Sequence, residues 1–333
     1  MQSLKTILTF LCCILCIQWA YGQTPFLSQN FAATRFFNPA SVGFGVNNQF
    51  TSFYKNQFSG VGDPYKTIGL GADFKLFKQL EGESNHFGMG VQAVSEKVLN
   101  GVLQTNYISL QIANRIFLNK QESSYLSLGI GGTLVSRNID RELLSFGDQY
   151  NSGRLYYGSS AESIASIPLQ FASSVGLLFG SHNPVHFLQI GASGYYISRN
   201  TFHQSFSEVN QNFQLIGLAN FEHQLGYDKT ILFHMDYQTR SEASYVYGGM
   251  AIGFPIHDSF EKVKRFYIGC FYRSQDATIP YLGILLGKYT FGMSYDIYQN
   301  NMTTANLHPQ TIEFNLSTLI GGKKTENLVS LFN

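Results

Sequence analysis

The stretch from position 289 to 297 reads Y-T-F-G-M-S-Y-D-I, and apolar and polar residues alternate along it with a period of two. Successive side chains of an extended strand point to opposite faces, so this strand has one apolar face and one polar face. The apolar face suits hydrocarbon and the polar face suits water, which is typical of the wall of a transmembrane β-barrel. The apolar face carries Tyr289, Phe291, Met293, Tyr295 and Ile297, and the polar face carries Thr290, Gly292, Ser294 and Asp296.

Segments of this kind recur along the whole chain, separated by turn residues. Many have the length of about 9–12 residues that a tilted strand needs to cross a bilayer, and an even strand count matches single-chain bacterial barrels. We therefore predict an all-β protein, a transmembrane antiparallel β-barrel of about 14 strands. The predicted strands lie near 49–56, 66–75, 87–97, 105–117, 124–136, 169–180, 186–196, 212–223, 229–238, 245–254, 264–272, 279–286, 288–298 and 310–319.

The N-terminus has the pattern of a secretory signal peptide. Lys5 precedes a short apolar core over 7–17, and the small residues Ala20 and Gly22 suit a signal peptidase, so we expect cleavage after Gly22. The cysteines of this segment lack the small preceding residues of a lipid-attachment box, which disfavours a lipoprotein. We predict a signal peptide at 1–22, an N-terminal periplasmic segment at 23–48, the barrel at 49–320 and a C-terminal tail at 321–333. After cleavage only Cys270 remains, so no intramolecular disulfide and no cysteine metal cluster are expected.

Composition supports a barrel over other membrane proteins and over most soluble ones. Charged residues make up 13% of the chain, about half the soluble average, while aromatic residues reach 15%. No run of some 18 apolar residues follows the signal, so helical spans are not expected. A secreted β-sandwich is the soluble alternative, although its core rarely needs so many aromatic residues. The net charge of +1 gives no reason to expect nucleic acid as a partner.

Two further patterns concern the ends of the strands. The longest predicted connections, 137–168, 197–211 and 298–309, fall on one side of the barrel and short turns such as 118–123 on the other, which matches extracellular loops and periplasmic turns. The exceptions are 76–86 and 255–263, which are longer than typical periplasmic turns. Tyrosines occur near many strand ends, where they either form interfacial girdles or fill the lumen. They include Tyr107, Tyr125, Tyr195, Tyr196, Tyr245, Tyr267, Tyr272 and Tyr298.

Both ends of the chain carry motifs that resemble one family. An Asn38-Pro39-Ala40 turn is followed by Gly43, and the segment from Tyr54 to Gly60 leads into Pro64 and Thr67. The penultimate strand at 291–297 and the start of the last strand at 308–313 are also similar. In these features the chain resembles the PorP/SprF family of type IX secretion outer-membrane proteins from Bacteroidetes-type bacteria. Lys55 stands where the family usually has Arg, and Phe58 stands where it usually has Trp.

The resemblance implies a non-enzymatic outer-membrane barrel, exported by a Sec-type signal. Such a barrel supports the secretion or surface attachment of partner proteins such as large adhesins, including in gliding motility. Its expected partners are outer-membrane lipid and other type IX secretion components, with no cofactor. The candidate signature positions serve either partner contact or the junction between the N-terminal segment and the barrel wall. They are Asn38, Pro39, Ala40, Tyr54, Lys55, Asn56, Gln57, Phe58, Gly60 and Pro64.

Three other functions have candidate residues or patterns in the sequence. A porin or substrate-uptake channel is the main alternative, because a barrel of this size holds either an open pore or a filled lumen. His182 and His186 have the i, i+4 spacing of a helical metal site, but they flank a turn at Asn183-Pro184. A lipid hydrolase would need a serine near His223 or His234, and no G-x-S-x-G elbow strengthens that idea. We predict no catalytic, cofactor-binding or metal residues.

Overall fold

A computed structural model of the chain gives a closed barrel of antiparallel strands. The structure describes residues 27–43, 48–76, 85–146, 149–151, 154–155, 160, 169–197, 213–226, 229–240, 243–256, 264–299 and 307–320. The predicted signal peptide and C-terminal tail lie outside these residues. In the described part of the chain, every helix is too short or too polar to cross a membrane.

The described barrel has fourteen strands, β1–β5 and β8–β16, and each pairs with its neighbours in sequence. Two short strands, β6 and β7, pair with each other outside the wall. The strands are β1 (Asn48–Ser59), β2 (Tyr65–Lys75), β3 (Asn85–Val98), β4 (Leu103–Phe117), β5 (Ser124–Ile139), β6 (Tyr150–Asn151), β7 (Arg154–Leu155), β8 (Gln170–His182), β9 (His186–Ile197), β10 (Gln214–Leu225), β11 (Lys229–Arg240), β12 (Ala243–Pro255), β13 (Lys264–Arg273), β14 (Ala277–Leu286), β15 (Tyr289–Tyr298) and β16 (Gln310–Ile320). The strand number is as predicted, and the predicted ends agree with the observed ones to within about three residues.

Closure occurs between the first and last strands. β1 pairs with β16 from Asn48 opposite Ile320 to Ser59 opposite Gln310, with one bulge between Asn56 and Ser59. Because the wall has no free edge, every strand has a hydrogen-bonded neighbour on both sides, which backbone in a bilayer requires.

The alternation read from the sequence sets the two faces of the wall. In β15, Phe291 and Ile297 are exposed on the outer face, whereas Ser294 and Asp296 are buried on the inner face. Large apolar side chains cover the outside of the other strands too, as at Ile108 and Ile130. This outer surface is the lipid-facing belt of the barrel.

The three longest connections lie together at one end of the barrel, whereas the connections at 76–84 and 256–263, which are also longer than tight turns, lie at the other end. The stretches 140–169, 198–213 and 299–309 join strands at one end, which we call the long-loop rim. The turns at 183–185 and 287–288 lie at the opposite end, which we call the short-turn rim. The start of β1 at Asn48 and the end of β16 at Ile320 lie at the short-turn rim. In bacterial barrels the end with short turns faces the periplasm.

Aromatic side chains fill much of the interior. Tyr125, Tyr267 and Tyr298 face inward and are buried, so for these tyrosines the lumen-filling interpretation is correct. Tyr272 instead is exposed on the outer face. The largest buried cluster lies mainly on the inner face of β11 to β15, and it also includes Phe187 of β9 and Phe31, which precedes the first strand.

Candidate functional site

The segment before the first strand lies inside the barrel. Residues 27–43, which we call the plug, form a 3-10 turn at Asn30–Ala33, one helical turn at Thr34–Phe37 and a 3-10 turn at Pro39–Ser41. Nearly all of its side chains are buried. The sequence predicts a periplasmic segment at 23–48, whereas residues 27–43 lie within the lumen in the structure. The physical reason is that the short turns leave many backbone groups unpaired, and the polar inner wall supplies partners for them.

The start of the plug is held at the seam that closes the barrel. The Glu313 carboxylate of β16 accepts the backbone N–H of Ser28 at 2.5 Å and that of Gln29 at 3.0 Å. The Gln29 side-chain amide donates in turn to the Glu313 carbonyl at 3.0 Å. Lys55 lies opposite Glu313 in the β1–β16 register, with its Nζ 3.9 Å from the carboxylate, and both side chains are fully buried. The buried charge of Glu313 is thus shared between a lysine and two plug amides.

The next two residues bind the aromatic side of the lumen. Asn30 Nδ2 donates to Asp236 of β11 at 2.9 Å. The Phe31 ring stacks on Phe271 with centroids 4.6 Å apart and meets Tyr281 edge-on at 4.9 Å. Phe31 therefore completes the aromatic cluster of the wall, which would otherwise enclose a void.

Arg35 anchors the middle of the plug to the first strands. Its guanidinium forms a buried ion pair with Asp73 of β2 and a hydrogen bond with Gln49 of β1. The Arg35 carbonyl accepts from Gln92 Nε2 of β3 at 2.8 Å. An isolated charge at this depth would be strongly disfavoured, so the pairing is a condition for the plug to remain in the lumen.

The Asn38-Pro39-Ala40 turn binds the opposite wall. Asn38 Oδ1 accepts the backbone N–H of Ala40 at 2.8 Å, and Asn38 Nδ2 donates to the Leu177 carbonyl of β8 at 3.2 Å. The turn fits because Gly129 of β5 has no side chain: a Cβ there would lie 2.3 Å from the Ala40 nitrogen. The glycine run within β5 therefore makes room for the plug.

The end of the plug passes the wall at close range before entering β1. Gly43 has a φ of 72°. A Cβ on Gly43 would lie 2.3 Å from the Gly88 Cα of β3 and 2.9 Å from the Phe74 carbonyl oxygen. Only glycine fits both the backbone conformation and the space here.

The remaining signature residues belong to the first hairpin. Phe58 has a φ of 63°, its N–H donates to Thr311 at 3.1 Å, and its ring lies between Tyr65 and Tyr298. Tyr54 is exposed on the outer face, whereas Lys55 points into the lumen. Asn56, Gln57 and Pro64 are half-buried near the hairpin end, and Gly60 is exposed with a φ of 88°.

The signature positions thus fall into two separate groups. Asn38, Pro39 and Ala40 contact β5, β8 and β9, while Lys55 lies at the seam with Glu313. The wall carboxylates Asp73, Asp236 and Glu313 are not among the site residues predicted from the sequence. One signal was present: each is a charged residue on the polar face of a strand in a chain with few charges.

The enzyme alternatives gain no support from the described residues. His234 contacts Asn220 Oδ1 through Nδ1 at 2.5 Å and Asp236 Oδ2 through Nε2 at 3.0 Å, so neither ring nitrogen faces a serine. The candidate serines for a lipid hydrolase, Ser207 and Ser241 in nearby loops, lie outside the described residues. Within the described part, no three or more His, Cys, Asp or Glu side chains are grouped so as to hold a metal ion.

A closed barrel with an apolar outer belt and a polar, filled interior defines an outer-membrane β-barrel protein. The model of the type IX secretion system membrane protein PorP/SprF family matches residues 20–317. The chain belongs to this family, as its terminal motifs indicated, and lies in the outer membrane.

Solved structures that are similar to the chain are also barrels. They include the toluene transporter TodX of P. putida, with 10% identity over 86% of this chain and 93% of that chain and a TM-score of 0.47. The toluene transporter TbuX of Ralstonia pickettii has 10% identity over 87% and 94%, with a TM-score of 0.47. CdiB from Escherichia coli has 10% identity over 81% and 63%, with a TM-score of 0.48. A search of curated proteins found no match.

Proposed function

We propose that this protein is a non-enzymatic barrel of the type IX secretion system that supports the secretion or surface attachment of partner proteins such as adhesins, as in gliding motility. Family membership supports a secretion role. The observation that carries the choice between scaffold and channel is the plug, whose contacts reach β16 at one side of the lumen and β8 at the other.

The contacts of the plug argue against an open pore. They include a buried ion pair between Arg35 and Asp73 and charge-assisted hydrogen bonds from the plug backbone to the Glu313 carboxylate. The ring of Phe31 also stacks on the wall. Charge-assisted hydrogen bonds are the strong ones, and in a low-dielectric interior they hold their partners in place. In a porin the plug would have to leave the lumen for solutes to pass. We therefore propose that the barrel supports protein secretion and does not act as a channel.

The partners in this proposal are other type IX components and a large secreted protein, with lipid around the barrel wall. The test is a clean deletion of the gene, followed by protease shaving of intact cells and mass spectrometry of the released surface proteins. We expect one or a few large surface proteins to be lost, and the gene supplied in trans to restore them. Unchanged surface display in the deletion strain would contradict the proposal.

Two further measurements separate the alternatives. Affinity capture of the barrel from the outer membrane should recover secretion components or the exported protein. The wild-type barrel in a planar bilayer should give no steady current, whereas a large steady current would favour the porin. Lipid A from an overexpressing strain should be unmodified, and altered lipid A would favour an enzyme.

A further inference from the structure

Two histidines face each other at the short-turn rim. His186 begins β9, and His223 of β10 is its direct cross-strand partner. The Gln224 N–H donates to the Val185 carbonyl at 2.9 Å, one residue outside the pair on each strand. This hydrogen bond marks His186 and His223 as a non-hydrogen-bonded pair, the type in which opposing side chains approach most closely.

The two imidazole rings approach each other through their Nδ1 atoms. Their Nδ1 atoms lie 2.9 Å apart, and the ring planes differ by 15°. Phe221 lies alongside both rings, with its plane 23° from that of His186 and 8° from that of His223. The His186 backbone N–H donates to Asn183 Oδ1 at 2.7 Å, which fixes the start of the strand. Backbone pairing, a turn and an aromatic neighbour therefore hold the pair in position.

The pair is accessible from outside the barrel. The neighbouring residues Phe187 and Glu222 are buried on the inner face, so alternation puts His186 and His223 on the outer face. His186 is exposed and His223 is half-exposed. Their strands end here, beside the turn at 183–185, where the wall leaves the apolar belt and meets water.

We propose that His186 and His223 form a binding site for a divalent transition-metal ion such as Zn²⁺. Neutral imidazole suits such ions. Zn–N bonds of about 2.0–2.1 Å in tetrahedral geometry place the two nitrogens about 3.3 Å apart. From the observed 2.9 Å the Nδ1 atoms need to separate by about half an ångström, and the stacked rings, whose centroids are 4.6 Å apart, also need to turn so that both in-plane lone pairs meet at the ion. In the bound state both Nδ1 lone pairs point at the ion and both Nε2 atoms carry the proton. Water, or a side chain of a partner at this rim, completes the coordination.

This site differs from the one that sequence spacing suggested. His182 and His186 are four residues apart, but His182 is the cross-strand partner of Phe187, which is buried on the inner face. His182 therefore belongs to the inner face and His186 to the outer face. The second ligand comes from the adjacent strand, at a sequence separation of 37. The inference is independent of the proposed secretion role.

The test uses the purified full-length barrel in detergent, freed of metal with a chelator and titrated with Zn²⁺ by calorimetry. We expect saturable binding of one ion per chain that weakens on acidification, because protons compete for the imidazoles. H223Q and H186Q should each weaken binding by about tenfold or more, because each leaves a single ligand. H182Q, a histidine at the same rim on the other face, is the matched control and should bind as the wild type does.

A second readout identifies the ligands directly. Electron paramagnetic resonance of the barrel with one equivalent of Cu²⁺ should show coupling to two imidazole nitrogens in the wild type and in H182Q, and to one in H223Q. Folding of each variant is checked by the shift in gel mobility on heating, and H186Q, on the other strand, serves if H223Q fails to fold. Absence of saturable Zn²⁺ binding in the wild type overturns the site. So does binding of Zn²⁺ by H223Q and H186Q that is as tight as that of the wild type.

Discussion

Glu313 accepts the backbone N–H of Ser28 at 2.5 Å, although 285 positions separate the two residues. The contact joins the last strand of the barrel to the first described turn of the chain. Because Glu313 also faces Lys55 of β1, the seam of the barrel and the plug share one buried carboxylate. The same carboxylate therefore stabilises both the closed wall and the position of the plug in the lumen.

The first prediction concerns this carboxylate. E313Q removes the negative charge that lies 3.9 Å from the buried Lys55 ammonium, and removing one member of a buried pair costs about 3–5 kcal/mol. We expect a lower unfolding midpoint in urea, measured by far-ultraviolet circular dichroism in lipid vesicles. The double variant K55M/E313Q removes both charges and should recover part of the loss. If E313Q unfolds at the wild-type midpoint, the pair does not stabilise the barrel.

The second prediction concerns the plug as the element that closes the lumen. Replacing 27–43 with a Gly/Ser linker of equal length removes every plug contact, including those of Arg35 and Asn38. We expect this variant to conduct ions in a planar bilayer while the wild type does not, because a polar lumen without its plug fills with water. Equal, negligible conductance from both proteins would show that other residues close the lumen.

The third prediction concerns the fit of the plug against glycine. G129V introduces a Cβ 2.3 Å from the Ala40 nitrogen, a clash with backbone that small shifts do not relieve. We expect the Asn38–Ala40 turn to leave its site, which a water-soluble maleimide would report at S41C in a C270S background. Ser41 is buried in the wild type and should react slowly.

The matched control for this clash is G217V. No heavy atom lies within 4 Å of a Cβ at Gly217, so the plug should stay in place and S41C should remain protected. Equal maleimide rates in the two valine variants would contradict the steric argument.

The fourth prediction compares an inner and an outer phenylalanine. F31A removes the ring that stacks on Phe271 at 4.6 Å and leaves a cavity inside the protein, at a cost of about 3–5 kcal/mol. F291A removes a ring that faces lipid, where acyl chains fill the space, so its cost should be smaller. Urea unfolding in vesicles measures both. A larger loss for F291A would mean that Phe31 is not part of the folded core.

Sequence patterns were sufficient to predict the strands of the wall, because the face that each side chain occupies depends only on its position along its own strand. Alternation with a period of two assigns each side chain to a face whatever its distant neighbours, and turn residues separate the strands. The two faces of the strand from Tyr289 are therefore predicted correctly, with Phe291 outside and Asp296 inside. The sequence alone does not decide whether a tyrosine near a strand end lies in an interfacial girdle or in the lumen. That depends on which face of the strand carries the tyrosine and on how deep in the bilayer it lies. Tyr125 and Tyr272 turned out to differ in this respect.

The candidate site could be predicted only in part. The Asn38-Pro39-Ala40 turn was recognised as turn chemistry, and Asn38 does cap the turn through Ala40. Its contact with Gly129 could not be predicted, because nothing local connects Gly129 to a turn 89 positions earlier in the chain.

The amino-acid sequence by itself determined the number of strands and the two faces of the wall, because both depend on short-range periodicity. It also indicated that the protein belongs to the PorP/SprF family, because the family is recognised by short motifs. Tertiary structure alone decided that residues 27–43 lie in the lumen, that Arg35 pairs with Asp73, and that His186 meets His223. Each of these depends on barrel closure, which brings together groups that are far apart in the chain and whose charges and hydrogen bonds must be satisfied where water is excluded.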